Sequence, residues 1–247
     1  MMKQLVTFGL MTALTSAFSA VKYDKLDEIK GVVLKSGKEK SNRYFMGSST
    51  KTIQQPLQYV MNGVLNFQEK CNNDYKDKRE YTDKKTDCKY HNAHLVETLI
   101  IKDIHPTGWV KEANERERYI TGRRVYNRGS FGYYELIQIF DGKNDKNQKT
   151  VTVVQRMLND KEAKVYVNPK FKKDSAFDES IGTFTLTEIN PHTTEVTYAY
   201  NSETEHWLLN KEVSVPQIFS TISQSINDLM VSIDKESSLQ SRDLASQ

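Results

Sequence analysis

The spacing of apolar residues changes character several times along this chain. Leu5 to Phe18 is a continuous apolar run with only small or weakly polar interruptions. Ile53, Leu57, Val60, Met61, Val64 and Leu65 then recur at spacings of three and four, with Pro56 where a first helical turn tolerates it. That pattern predicts an amphipathic helix of about three turns. Before it, Arg43–Ile53 reads as a strand, and Val21–Lys40 fits either a short helix or an extended lead-in.

From Tyr90 to Glu212 the period shortens to alternation, punctuated by turns. His94–Ile104 ends at His105-Pro106-Thr107-Gly108; Trp109–Glu117 and Tyr119–Tyr126 form one long strand or a bent pair; Gly132–Phe140 alternates cleanly. Thr150–Leu158, a weaker segment at Glu162–Val167, Ile181–Ile189, Thr193–Tyr200 and a short segment at His206–Val213 continue the series. With no helical pattern to separate them, these strands predict an antiparallel meander or curved sheet. The chain then returns to a helical period. Ile218, Phe219, Ile222, Ile226, Leu229, Met230 and Ile233 form one stripe of more than four turns, opened by Ser214-Val215-Pro216-Gln217. Residues 236–247 lack the stripe and are expected to be a disordered tail.

Composition narrows the class. At 247 residues, 37% hydrophobic and with Lys+Arg 35 against Asp+Glu 32, the chain can bury a sizeable core and shows no charge excess that would select nucleic acid. The first twenty residues, with Lys3 before the apolar run and small residues at Ala17, Ser19 and Ala20, have the layout of a secretory signal peptide and are short for a membrane span. The mature chain is then expected in the periplasm or outside the cell, with no stable membrane span. In that setting Cys71 and Cys88 are expected to form a disulfide around a highly polar segment. Cys88, His91 and His94 have a metal-like spacing, but no second ligand pair lies near them in sequence, so no metal is assigned.

The order of parts carries a resemblance. Thr52-Ile-Gln-Gln-Pro-Leu-Gln-Tyr-Val60 entering the first helix, Arg123-Arg-Val-Tyr126 and Gly132-Tyr-Tyr-Glu-Leu136 in the middle strands, Val153-Val-Gln-Arg156, and the long final helix resemble the START/Bet v 1-like (SRPBCC, polyketide cyclase-like) superfamily. The resemblance spans residues 41–235, leaving 21–40 as a lead-in. It implies an α+β helix-grip fold, a curved antiparallel sheet wrapped around the C-terminal helix. It further implies that the space between them holds a hydrophobic or lipid-like small molecule.

On that reading Phe219, Ile222, Ile226, Leu229 and Met230 line one wall, and Tyr119, Arg123, Tyr133 and Glu135 supply polar and aromatic groups opposite. The same stripe also fits a dry packed core, which would make the protein an interaction or structural module. Arg123 or Arg124 with Glu135 reads as a buried pair or as a solvent-facing cross-strand pair, the second being the ordinary case for charges on strands. No catalytic constellation is assembled by spacing. His91, His94, His105, His192 and His206 are scattered, and neither a nucleophile elbow nor a His-Glu-x-x-His helix occurs. No catalytic residue and no cofactor is assigned, and the protein partner is left open.

Overall fold

The computed structural model describes residues 21–65, 101–102, 112–126, 130–166 and 175–245. Nine strands form one antiparallel sheet: β1 (Tyr23–Ile29), β2 (Val32–Glu39), β3 (Asn42–Ile53), β4 (Ile101–Lys102), β5 (Glu115–Tyr126), β6 (Ser130–Lys143), β7 (Lys149–Met157), β8 (Glu179–Asn190) and β9 (Thr193–Thr204). Helix α1 covers 57–65, α2 is Asp160–Tyr166 and α3 is Val215–Ala245. The spatial order is β1-β2-β3-β9-β8-β7-β6-β5-β4, so the last strand is inserted beside the third.

Each side of the sheet has its own cover. One face carries Val32, Leu34, Phe45, Ile137, Ile139, Val151, Val153, Phe184, Leu186, Val196 and Tyr198 into a single core with α1 and the apolar stripe of α3. That stripe has to be buried, and the sheet curves to receive it. Burying each of these large side chains contributes about 1.5–3 kcal/mol. The opposite face is covered in part by α2, where Ala163 packs with Ile120, Leu136 and Leu158.

The α3 helix follows β3 along its length. Phe219 meets Phe45 edge-on with ring centroids 6.5 Å apart near the start, and Lys51 Nζ pairs with Asp234 at 2.7 Å further on. Between them Gly47 makes the close approach possible. A Cβ there would lie 2.6 Å from Ile222 Cγ2 and 2.9 Å from Ile226 Cδ1. The β1–β2 hairpin clasps the helix from its other side through its Lys30-Gly31 turn, where both residues have positive φ, 53° and 76°. Ser223 Oγ donates to Ile29 O at 2.8 Å.

Four sequence expectations change here. Residues 21–40 form β1 and β2, full members of the sheet, because Val32, Leu34 and Ser36 alternate into the core. The segment near Glu162 is helix α2. A reciprocal capping box starts it, with Glu162 N–H donating to Asn159 Oδ1 and Asn159 N–H to Glu162 Oε2, each at 3.0 Å. His206–Val213 belongs to a hydrogen-bonded loop that ends in a 3-10 turn at Glu212–Ser214. Finally, α3 runs past residue 235 to Ala245. No Gly or Pro interrupts this stretch, and Ser237 is buried and bonded back to Ile233 O. The pair Cys71 and Cys88, with His91 and His94, lies outside the described residues, as does the apolar run at 5–18. No helix among the described residues is long and apolar enough to cross a membrane.

Candidate ligand-binding site

Strand register brings polar side chains onto the inner, helix-facing side of the sheet. One cross-sheet row runs Leu34, Gly47, Tyr200, Gly182, Gln155, Ile137, Tyr119 from β2 to β5. The row toward the strand ends near α2 includes Phe45, Ser202 and Ser180 on β3, β9 and β8, with Met157 and Glu135 paired on β7 and β6. The row on the other side is Tyr198, Phe184, Val153 and Ile139. The inner face is thus apolar toward one end and polar toward the other. On β3, Phe45 and Gly47 of these rows lie against Phe219 and Ile222 near the start of α3.

Burial gives these polar groups their weight. Glu135 is 8% exposed and Gln155 6%, although both carry groups that ordinarily keep to solvent. Ser202 is fully buried, and among the described residues its hydroxyl closes no hydrogen bond of ordinary geometry. Tyr200 stands between Gly47 and Gly182 in the ladder and is half-buried. Burial raises the pKa of its hydroxyl, neighbouring Ser202 and Ser180 offset part of that rise, and the negative charge of Glu135 adds to it. Tyr200 therefore remains a neutral phenol at physiological pH, able to donate. Glu135 on β6 and Tyr200 on β9 are three strands apart in the sheet order, and the Glu135 charge still acts on the Tyr200 hydroxyl. Gly182 adds to this: a Cβ there would lie 2.7 Å from the Tyr198 hydroxyl, so its absence lets that ring lie across β8.

The structure places the sequence-derived residues as follows. Phe219, Ile222, Ile226, Leu229 and Met230 are all buried in the core between helix and sheet. Tyr133 and Glu135 are on the inner face of β6, half-buried and buried. In the ladder Tyr119 stands opposite Ile137, Arg123 opposite Tyr133, and Thr121 opposite Glu135. The solvent-facing version of a Glu135 pair is overturned, because Glu135 shares its strand face with Ile137 and Ile139 and is buried with them.

Gln155, Ser180, Tyr200 and Ser202 were missed by sequence reasoning. The signal available was the strict alternation of Thr194, Val196, Tyr198, Tyr200, Ser202 and Thr204, which changes from apolar to polar along a single strand face. The buried pair Glu115–Arg118 was missed as well. It belongs to a region where β5 is bulged between Glu115 and Glu117, which breaks the simple alternation. Among the described residues no group of three or more His, Cys, Asp or Glu could hold a metal ion.

No protein-family model matches the sequence, and comparison with curated proteins gives no significant match. Solved structures do match. Human STARD10 aligns over 97% of this chain and 84% of its own, at 10% identity and a TM-score of 0.51. Human StAR-related lipid transfer protein 5 aligns over 93% of each chain at 10% identity, TM-score 0.49. The lipid transfer and protein localization domain of human StarD13 aligns over 96% and 98%, at 10% identity and TM-score 0.47. A curved antiparallel sheet closed on a long C-terminal helix, with this strand order, is the helix-grip fold of the START/Bet v 1-like superfamily, and the chain adopts it.

Proposed function

We propose that the protein binds a hydrophobic or lipid-like small molecule between the inner face of the sheet and α3, with its polar end at Glu135, Gln155, Tyr200 and Ser202. The observation that carries this reading is the gradient on the inner face, apolar around Phe184 and Val153 and polar around Gln155 and Tyr200. An amphiphile has that profile. Buried polar groups cost stability unless they are satisfied, and the unbonded Ser202 hydroxyl is a group that a ligand's polar end can engage. We further propose that residues 1–20 are removed on export to the periplasm or cell exterior and that Cys71 and Cys88 are then bridged. Amino-terminal sequencing of protein from its own compartment tests the first, and non-reducing peptide mapping the second.

Native mass spectrometry of the purified mature protein, followed by organic extraction, tests the binding reading. The expected result is an adduct of lipid-like mass that is lost on denaturation. It should weaken in Gln155→Leu, while fatty-acid, phospholipid or sterol addition raises the wild-type melting midpoint. A clean apo mass, with no stabilisation by any of those probes, would overturn it and leave a filled-core interaction module.

A further inference from the structure

Arg43 is a fully buried cation on β3, sharing the inner face of the sheet with Phe45 and Gly47. A buried guanidinium needs acceptors for its five N–H groups. Nε donates to Asn210 O at 3.2 Å, one terminal nitrogen to Ser36 Oγ at 3.3 Å, and the other to the Glu212 carboxylate. Among the described residues, then, two of the five N–H groups have no acceptor. The carboxylate that answers the charge is not itself buried. The Glu212 side chain is 59% exposed, at the start of the 3-10 turn before α3, and it is held there by its bond to Arg43 and not by packing.

The charges around this pair leave the corner positive. Lys25 stands opposite Ser36 and Lys38 opposite Arg43, so both share the inner face with the guanidinium. Lys25 Nζ is 3.9 Å from Glu212, and the charges of Lys25 and Lys38 add to the Arg43 hydrogen bond in holding the Glu212 carboxyl below its ordinary value. Acids on the neighbouring strands do not answer these cations. Glu39 and Glu203 alternate onto the other face, with Tyr44 and Asn42; Asp27 accepts from Glu28 N–H at 2.8 Å; and Asp24 falls in the β1 bulge. The next pair along the ladder on the same face, Phe45 with Ser202, brings the unbonded Ser202 hydroxyl beside Arg43. Arginine is shaped to take a carboxylate through two parallel N–H bonds, and here a solvated side-chain carboxylate holds that place. We propose that Arg43 receives the head of a long-chain carboxylic acid in exchange for Glu212. The exchange costs little at Glu212, whose carboxylate turns to water beside Lys25. The incoming carboxylate accepts from the N–H groups that Glu212 leaves and from Ser202 Oγ. The inference rests on the binding reading above and gives its ligand an anionic head.

The test titrates the full mature chain with palmitate and with hexadecanol, which has the same chain length and a neutral head, at a pH where the fatty acid is ionised. Palmitate should bind about tenfold more tightly, as a charge-assisted hydrogen bond to a buried guanidinium provides. Glu212→Gln removes the competing charge at an exposed position, so it should tighten palmitate roughly fivefold and leave hexadecanol unchanged. Arg43→Gln should make the two ligands equal; because Arg43 is buried and that variant can fail to fold, Glu212→Gln carries the decision. Equal affinities in the parent protein, or palmitate unmoved by Glu212→Gln, would overturn the inference and leave the binding reading standing. Binding of neither amphiphile would overturn it too, and a lipid adduct in the native mass spectrum would then show that the binding reading survives.

Discussion

Gly47 sets how closely the helix can lie on the sheet, and Gly47→Ala measures it. The added Cβ would be 2.6 Å from Ile222 Cγ2 and 2.9 Å from Ile226 Cδ1. The second atom is the far end of a flexible side chain and can turn away. The first is fixed to a β-branched carbon close to the helix backbone, so α3 itself must shift. Overpacking of this kind costs about 1–3 kcal/mol, and the reduced freedom of the unfolded chain on replacing Gly by Ala returns about 0.4–1. The expected net loss is about 1–2 kcal/mol, a fall in melting midpoint of roughly 3–6 °C for a domain of this size. A double-mutant cycle with Ile222→Ala isolates the cause, because that change removes Cγ2 and leaves a space the new methyl can enter. Ile222→Ala alone costs about 2–5 kcal/mol, and the pair should cost less than the sum by about 1 kcal/mol or more. Urea unfolding monitored by circular dichroism gives all four free energies. A neutral or stabilising Gly47→Ala, or strict additivity in the cycle, would refute the close-approach argument.

Two further predictions concern charge. Glu115 and Arg118 form a buried pair, so Glu115→Gln should cost about 3–5 kcal/mol by stranding the guanidinium, whereas Glu115→Met/Arg118→Leu should recover most of it. A urea series on the three proteins decides, and a cost below about 1 kcal/mol for the single change contradicts burial of the pair. Acid sensitivity follows from three carboxylates. At Glu115 and Glu162 burial pushes the carboxyl up, but the guanidinium of Arg118 or Arg156 and a backbone N–H pull it down further; at Glu212 the hydrogen bond from Arg43 dominates. All three end below the ordinary value of 4.5. Their folded-state pKa values are depressed, so they contribute stability above that value and lose it as the pH falls through their own lowered values. The melting midpoint should therefore drop below about pH 4.5, and more shallowly in Glu162→Gln; equal slopes would show that Arg156 does not hold Glu162 down.

Much of the fold could be read from period alone. The α3 stripe admits one helical face, and β6 to β9 alternate cleanly enough to fix their existence. What could not be read depended on partners distant in sequence. Lys22–Lys40 is too charged to declare itself as two strands until Val32 and Leu34 find α3 above them. The α2 segment is only seven residues long, and what identifies it is the Asn159–Glu162 capping box braced by Arg156, a bond pattern with little periodic trace. For the candidate site, the helix wall was legible because it is also the core. The polar floor was not, since Gln155, Ser180 and Tyr200 become neighbours only through the register of three strands.

The pairing of β3 with β9 has a consequence in time as well as space. Thr50 and Thr197 meet across that ladder although they are 147 positions apart in the chain, and the pairing lies inside the sheet, with strands on either side of it. A chain emerging amino-terminus first can form the β1–β2–β3 meander early, but the inner face of that meander has no cover until α3 arrives last. Contacts this distant in sequence make folding slow, and the early strands wait with apolar residues exposed. The nascent chain thus stays unfinished through most of its synthesis, which is the state a holdase can keep from aggregating and a translocation channel can accept.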